Sequence, residues 1–139
     1  MSAENEALVR RFFEEFCNGR RAEVADEIIA PDYVSYGPQA PPAIGPDEVK
    51  ARVGLYQDTL DGHWDVQDVF SVGDRVAVRW IGRGTHHGEL MGVAPTGESI
   101  AIDAISLFRI APLVTWPPPV PCSTRRRARA GSTRARSVR

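Results

Sequence analysis

The most regular segment of this chain is Ser99-Ile100-Ala101-Ile102-Asp103-Ala104-Ile105-Ser106-Leu107-Phe108-Arg109-Ile110. Side chains on a β-strand point alternately to its two faces, and this segment therefore predicts one long strand. The even-numbered face is apolar except for Ser106, and the other face also carries Ile105 and Leu107. Apolar groups on both faces indicate that both are covered, one by helices and the other, in our interpretation, by a partner subunit.

The segments that precede this strand predict the rest of the fold. Alternating apolar residues predict strands at 64–72 and 75–86, joined by a turn at Gly73-Asp74 and followed by a loop at 88–97. Upstream, helices are predicted at 2–18, 22–29 and 46–60, with a short strand at 33–36 and an irregular loop at 37–42. Helices followed by a meander of strands predict an α+β domain, with helices on one face of an antiparallel sheet.

The charge of the chain divides at Ala111. All 18 acidic residues and ten of the 17 basic residues precede it, so the body carries a charge of −8. The remaining segment contains seven arginines and no Asp, Glu or Lys, and these residues give it a charge of +7. We therefore predict a folded domain at 1–111 and a Pro/Arg-rich tail at 112–139 that is irregular or disordered.

The tail has three interpretations. In a GC-rich gene, Cys122-Ser123-Thr124-Arg125-Arg126 would be encoded by TGC TCG ACG CGG CGG. Read one base earlier, after a C, these bases encode Leu-Leu-Asp-Ala-Ala, and we favour this frameshift interpretation. A naturally disordered linker with a polyproline segment is the second interpretation. A basic arm that contacts nucleic acid is the third and the least favoured. Only Leu113-Val114-Thr115-Trp116 is apolar enough to form a makeshift strand, and Pro117 would end it.

Several classes of protein are excluded by composition. No apolar run approaches the ~18 residues of a membrane span. The segment Met1–Glu6 is too polar for a secretory signal. Cys17 and Cys122 are isolated, which argues against a disulfide framework and against a thiolate zinc site. We expect a cytoplasmic protein without a metal site.

Five segments together resemble one protein family, and the fourth is the most specific of them. They are Ala7–Phe16, Ile29–Val34, Gly73–Trp80, the run Gly84-Thr85-His86-His87-Gly88 that continues to Pro95-Thr96-Gly97, and Leu107–Ile110. In this order they are similar to the SnoaL-like polyketide cyclases, also called ester cyclase-like proteins, of the nuclear transport factor 2-like superfamily.

The resemblance implies a cone-shaped domain, in which a curved antiparallel sheet wraps around helices and encloses a mostly apolar pocket. It also implies a homodimer packed through the outer face of the sheet. Characterised members close a ring of an aromatic polyketide by an intramolecular aldol reaction without a metal or an organic cofactor. The chain departs from the family after Ile110, because the final strand, which supplies an essential acid/base residue, is missing or replaced.

Among the histidines, His86 is the preferred catalytic candidate. Strand parity places it with Val76, Val78 and Trp80, and the resemblance places it in the pocket. A neutral imidazole can accept or donate the proton that enolisation requires. The alternative is a histidine that only hydrogen-bonds to backbone at a strand end. We expect His63 to be solvated.

A second catalytic candidate is Asp103, an acid within an apolar strand. A carboxylate in an apolar cavity has a raised pKa and can act as a general acid or base. The alternative, which we prefer, is a cross-strand salt bridge to an arginine between Arg79 and Arg83.

An apolar and aromatic lining is predicted for the pocket, although the same residues are also candidates for plain core, and for one of them, Trp80, we prefer the core. The five residues are Tyr33, Tyr36, Trp80, Leu90 and Met91. The sequence thus predicts a protein that binds an apolar or aromatic, polyketide-like small molecule. Acid/base ring closure, or a related isomerisation or hydration, is the enzymatic hypothesis. A non-catalytic ligand-binding protein of the same fold is the alternative.

Overall fold

The computed structural model describes residues 2–37, 40–111 and 127–129, and these form an α+β domain. The predicted helices and strands occur in the predicted order, so the prediction of an α+β fold is confirmed. Within these residues, no helix is long and apolar enough to span a membrane. The helices are α1 (Ser2–Arg11), a π-helix (Phe12–Asn18), α2 (Ala22–Ile28) and α3 (Gly45–Leu60); the strands are β1 (Val34–Gly37), β2 (Ala40–Ile44), β3 (His63–Val72), β4 (Arg75–Thr85), β5 (Ser99–Ala111) and β6 (Arg127–Arg129).

The first predicted helix changes its winding at Phe12. From there the chain follows the wider turn of a π-helix, and the N–H of Gly19 donates to the carbonyl of Glu14 at 2.9 Å, five residues back. Phe13, Phe16 and Cys17 are buried within this segment. The wider turn therefore supplies the aromatic side of the core, and π-helical segments of this kind are frequent at functional sites.

The main sheet has the order β3-β4-β5-β6, and every pairing is antiparallel. β4 and β5 pair without a slip, from Arg75 opposite Arg109 to Thr85 opposite Ser99. The β3–β4 register shifts between Val66 and Asp68, a bulge that bends the strand. One face of this sheet packs against the helices and forms the core, which includes Val9, Phe13, Phe16, Val24, Ile28, Tyr33, Val49, Val76, Val78, Phe108 and Ile110.

A second, two-stranded sheet corrects the prediction of an irregular loop at 37–42. β2 begins at Ala40 and pairs with β1, with Val34 opposite Ile44. Its two prolines donate no hydrogen bond, and they are tolerated because a two-stranded ribbon has free edges. The following helix α3 starts directly after β2, and the Glu48 carboxylate accepts the N–H of Ile44 at 2.6 Å.

The tail contributes one short strand, where the sequence predicted irregular chain after Pro117. β6 pairs with the end of β5, with Arg109 opposite Arg129 and Ala111 opposite Arg127. The edge of β5 offers backbone N–H and C=O groups that any extended segment can satisfy, so a basic segment can pair there. The predicted makeshift strand 113–116 lies outside the described residues.

Candidate functional site

A cavity of about 360 Å³ lies between the helices and the inner face of the main sheet. Its lining comes from the π-helix, α3, both sheets and the loop after β4. A space of this volume matches the lower range of small-molecule sites, which are typically concave and mostly apolar. Its lining residues include Phe12, Phe13, Cys17, Tyr33, Tyr36, Arg52, Val53, Tyr56, Leu60, Trp64, Trp80, Leu90, Met91, Ile100, Ile102, Ser106 and Phe108.

The floor of the cavity, formed by its buried lining residues, is aromatic. The Phe13 ring lies 6.1 Å from Trp80 and 6.0 Å from Phe108, measured between ring centroids. The Trp80 indole N–H donates to the Ser106 hydroxyl at 2.9 Å. Trp80 thus packs against the core and lines the cavity at the same time. Aromatic rings in tilted and edge-to-face contact, with a hydroxyl beside one of them, suit a flat molecule with a polar substituent.

The π-helix is held in place by side-chain amides. Asn18 exchanges two hydrogen bonds of 2.8 Å with the backbone of Trp64, and Gln57 donates to the Cys17 carbonyl at 2.7 Å. The helix end is thereby fixed to both β3 and α3. Burial also raises the pKa of the Cys17 thiol, which stays neutral in the apolar wall.

The rim of the cavity, formed by its more exposed lining residues, contains Tyr36 and Met91. Leu90 and Val93 exchange two backbone hydrogen bonds around Met91 and Gly92, both of which have positive φ, and this closes a tight turn. The turn places Leu90 and Met91 on the lining. All five residues predicted to bind the ligand therefore border one cavity, namely Tyr33, Tyr36, Trp80, Leu90 and Met91.

Sequence reasoning missed two cavity residues on α3. Arg52 and Tyr56 lie one helical turn apart, on the same side of the helix as the buried Val49 and Val53. The Arg52 guanidinium donates to the carbonyls of Ser35, at 3.0 Å, and of Pro41. A polar residue recurring at the spacing of an apolar helix face was the signal in the sequence.

Two glycines allow the sheet to approach its neighbours. A Cβ on Gly84 would lie 2.4 Å from the Leu60 carbonyl oxygen, and one on Gly82 would lie 2.9 Å from the Trp80 ring. Only glycine therefore permits the end of α3 to contact β4 here. Leu60, Gly82 and Gly84 all border the cavity.

His86 lies beside the cavity but is not among its lining residues. The strand ends at Thr85, so the predicted parity does not extend to His86. Its Nδ1 lies 3.1 Å from the Thr96 hydroxyl, its backbone bonds to Gly97 and Glu98, and its Nε2 has no partner in the described part of the chain. This position differs from the expected one, and a role in proton transfer stays a prediction.

Asp103 lies on the outer face of the sheet. Arg79 contacts both oxygens of its carboxylate, at 3.1 and 2.5 Å. This hydrogen-bonded guanidinium lowers the pKa of the Asp103 carboxyl, so the group is ionised and does not have the raised pKa of a buried acid. The structure thus shows the cross-strand salt bridge, and the cavity lining does not include Asp103.

His63 lies at the rim of the cavity. Its side chain is exposed there, as the sequence predicted. Its imidazole is 57% exposed, and its Nε2 lies 3.0 Å from Asp65, which also accepts from Arg83 at 2.9 Å. Across residues 2–37, 40–111 and 127–129, no three His, Cys, Asp or Glu side chains come together in a group that could hold a metal ion.

Known structures share this fold. A protein from Jannaschia sp. CCS1, assigned as a SnoaL-like polyketide cyclase, superimposes with a TM-score of 0.78 at 19% identity, covering 96% of this chain and 86% of its own. IdmH from Streptomyces antibioticus, assigned as a polyketide cyclase, has a TM-score of 0.67 at 26% identity, covering 94% and 91%. An epoxide hydrolase from M. tuberculosis has a TM-score of 0.64 at 11% identity, covering 94% and 77%. The fold therefore includes polyketide cyclases and other enzymes.

Among curated proteins, none matches this chain. The family model of the SnoaL-like polyketide cyclases, in contrast, matches residues 7–112, which is nearly the whole body of the protein. The matched range contains every described element except β6 and the first residues of α1. The chain therefore belongs to the SnoaL-like polyketide cyclase family.

Proposed function

We propose that this protein binds a flat apolar or aromatic small molecule in the cavity between the helices and the main sheet. The observation that carries the proposal is the lining itself, in which the rings of Phe13, Trp80 and Phe108 pack together and the Trp80 indole N–H donates to the Ser106 hydroxyl. Burial of an apolar ligand against such walls is favourable by roughly 25 cal/mol for each Å² removed from water. The hydroxyl supplies one polar contact that orients the ligand.

The test is titration calorimetry of the full chain with 2-acetonaphthone, a neutral flat ketone. The variant Ile100→Phe adds volume to a lining residue of β5, and Ile105→Phe adds the same type of ring to the outer face of the same strand. We expect Ile100→Phe to weaken binding about tenfold or more and Ile105→Phe to leave it unchanged. Absence of binding to the wild-type chain, or equal effects of the two variants, would refute the proposal.

Ring closure by an intramolecular aldol reaction is the second candidate, and membership of the cyclase family favours it. In this reaction a base removes a proton from the carbon beside one carbonyl, and the resulting carbanion attacks a second carbonyl, whose oxygen then takes a proton. The Tyr56 hydroxyl would stabilise the enolate oxygen. His86 is the candidate base, because its buried Nε2 has no hydrogen-bond partner among the described residues.

The substrate for the second test is an aromatic compound that carries an open polyketone side chain. Ring formation is followed by the change in its absorbance. We expect cyclisation faster than in buffer, and a slower rate for His86→Gln. An unchanged rate in His86→Gln would remove the histidine from the reaction. Wild-type protein that fails to accelerate closure, but still binds 2-acetonaphthone, would leave the non-catalytic binding function.

We also propose that a second copy covers the outer face of the main sheet. Phe70, Ile105 and Leu107 are 60%, 46% and 46% exposed on this face. Phe70 and Leu107 flank Ala77 in one cross-strand row, which makes the apolar surface continuous. Leu107→Glu should shift the mass measured by light scattering from dimer to monomer, and a monomeric wild-type chain would refute the proposal.

We also propose a cytoplasmic location, because the two cysteines of the chain are isolated and give no sign of a disulfide framework.

A further inference from the structure

The cavity has an unbalanced charge. Two guanidinium groups, Arg52 and Arg83, belong to its lining, whereas none of the lining residues is acidic. Arg83 is neutralised, because its Nε lies 2.9 Å from a carboxylate oxygen of Asp65. No described acidic side chain lies within ion-pair distance of Arg52. The cavity thus presents one uncompensated positive charge.

The hydrogen bonds of Arg52 do not neutralise its charge, because both acceptors are uncharged backbone carbonyls. The guanidinium donates to two backbone carbonyls, of Ser35 and Pro41, and these occupy two of its five N–H groups. Glu48 precedes Arg52 by one turn, the spacing that best suits a helical ion pair. Its carboxylate instead accepts the backbone N–H of Ile44 at 2.6 Å.

The rest of the sequence offers no acidic side chain that could neutralise Arg52. Outside the described residues lie Met1, Pro38, Gln39 and most of the tail, and none of these positions is Asp or Glu.

We infer that Arg52 binds the carboxylate of the ligand, so that the protein takes a flat apolar acid. This inference rests on the proposed binding function and names the class of its ligand. The guanidinium holds a carboxylate through two parallel hydrogen bonds, which are stronger than bonds between neutral groups. The apolar part of the ligand then lies against the aromatic floor, while the acid stays at Arg52.

The experiment compares 2-naphthoate with 2-naphthamide, which have nearly the same shape and differ in charge at neutral pH. We expect the full chain to bind naphthoate about tenfold more tightly, which corresponds to ~1.4 kcal/mol. Arg52→Gln should remove this preference, so that the two compounds bind this variant with affinities within about twofold of each other. Arg79→Gln is the matched control, because it removes a paired cation on the outer face of the sheet, outside the cavity lining, and it should retain the preference.

The outcomes separate the two proposals. Equal affinities of the wild-type chain for both compounds, or a preference for the amide, would overturn the acid-binding inference while leaving the cavity as a ligand site. Binding of neither compound would overturn the binding function as well. The wild-type preference should also shrink when salt is raised from about 0.05 to 0.5 M, and this measurement needs no variant to fold. A preference that persists in Arg52→Gln would assign the acid to another residue.

Discussion

Gly84→Ala tests the close contact between the end of α3 and β4 beside the cavity. The added Cβ would lie 2.4 Å from the Leu60 carbonyl oxygen and 3.1 Å from the Leu60 Cβ, whereas ordinary contacts begin at 3.4 Å. The obstructing atom is backbone at the end of α3, so no side-chain rotation relieves the overlap. The helix end and the strand must therefore separate by about 1 Å, which disturbs the packing on both sides.

Overpacking of this kind costs about 1–3 kcal/mol. For a domain of roughly this size, 1 kcal/mol corresponds to about 4–8 °C in the melting temperature. We therefore expect Gly84→Ala to melt about 10 °C below the wild-type chain and to bind 2-acetonaphthone more weakly, since Gly84 also lines the cavity.

Gly54→Ala is the matched control for this variant. Gly54 lies in the middle of α3, and a Cβ there would meet nothing within 4 Å. Alanine in a helix interior is favoured over glycine by roughly 0.5–1 kcal/mol, so the control should melt a few degrees higher. Thermal unfolding followed by circular dichroism compares the three proteins. Melting of Gly84→Ala within about 2 °C of the wild type would show that α3 and β4 do not meet as described.

Three further predictions concern the cavity wall and the outer face. In a Cys122→Ser background, the Cys17 thiol should react with Ellman's reagent only on unfolding, even at pH 8, because burial raises its pKa; rapid labelling of the folded chain would contradict this. Ser106→Ala should reduce the free energy of unfolding by about 1–2 kcal/mol in urea titrations, since it leaves a buried indole N–H without an acceptor, and an unchanged midpoint would refute that bond. Asp103→Asn should leave ligand binding unchanged, and a loss of binding would return Asp103 to the site. Because the ion pair with Arg79 lowers the pKa of the Asp103 carboxyl, the pair stabilises the fold above the ordinary carboxyl pKa of about 4, and this stabilisation is lost as the pH falls below that value through the lowered pKa. Any loss of stability in the variant should therefore be confined to the higher pH.

The elements of the main sheet were predictable because their signals are local. Alternation along 99–110 and the turn at Gly73-Asp74 depend only on neighbouring residues. No end of these three strands differs from its predicted position by more than one residue. The wider winding after Phe12 was not predictable, because it depends on what the π-helix packs against. The β1–β2 ribbon was missed for a related reason, since prolines normally argue against a strand unless its edge is free.

The predicted ligand residues and the predicted catalytic residues had different outcomes. Tyr33, Tyr36 and Trp80 lie on the cavity because large aromatic groups on the inner side of a sheet and beside it converge on the same interior. His86 does not, because strand parity holds only while the strand continues, and β4 ends one residue earlier. The contacts of a group beyond the last paired residue depend on the loop, which a period-two pattern does not describe.

By itself the sequence determined the fold class, the inner and outer faces of the sheet, the division of charge at Ala111 and the family. Only the tertiary structure decided that Arg52 faces the cavity without a carboxylate partner among the described residues, while Arg79 and Arg83 are paired. The physical reason is the range of the forces involved. Burial of apolar side chains follows the local period of the backbone, whereas neutralisation of a charge depends on atoms within about 4 Å, brought there by segments distant in the chain.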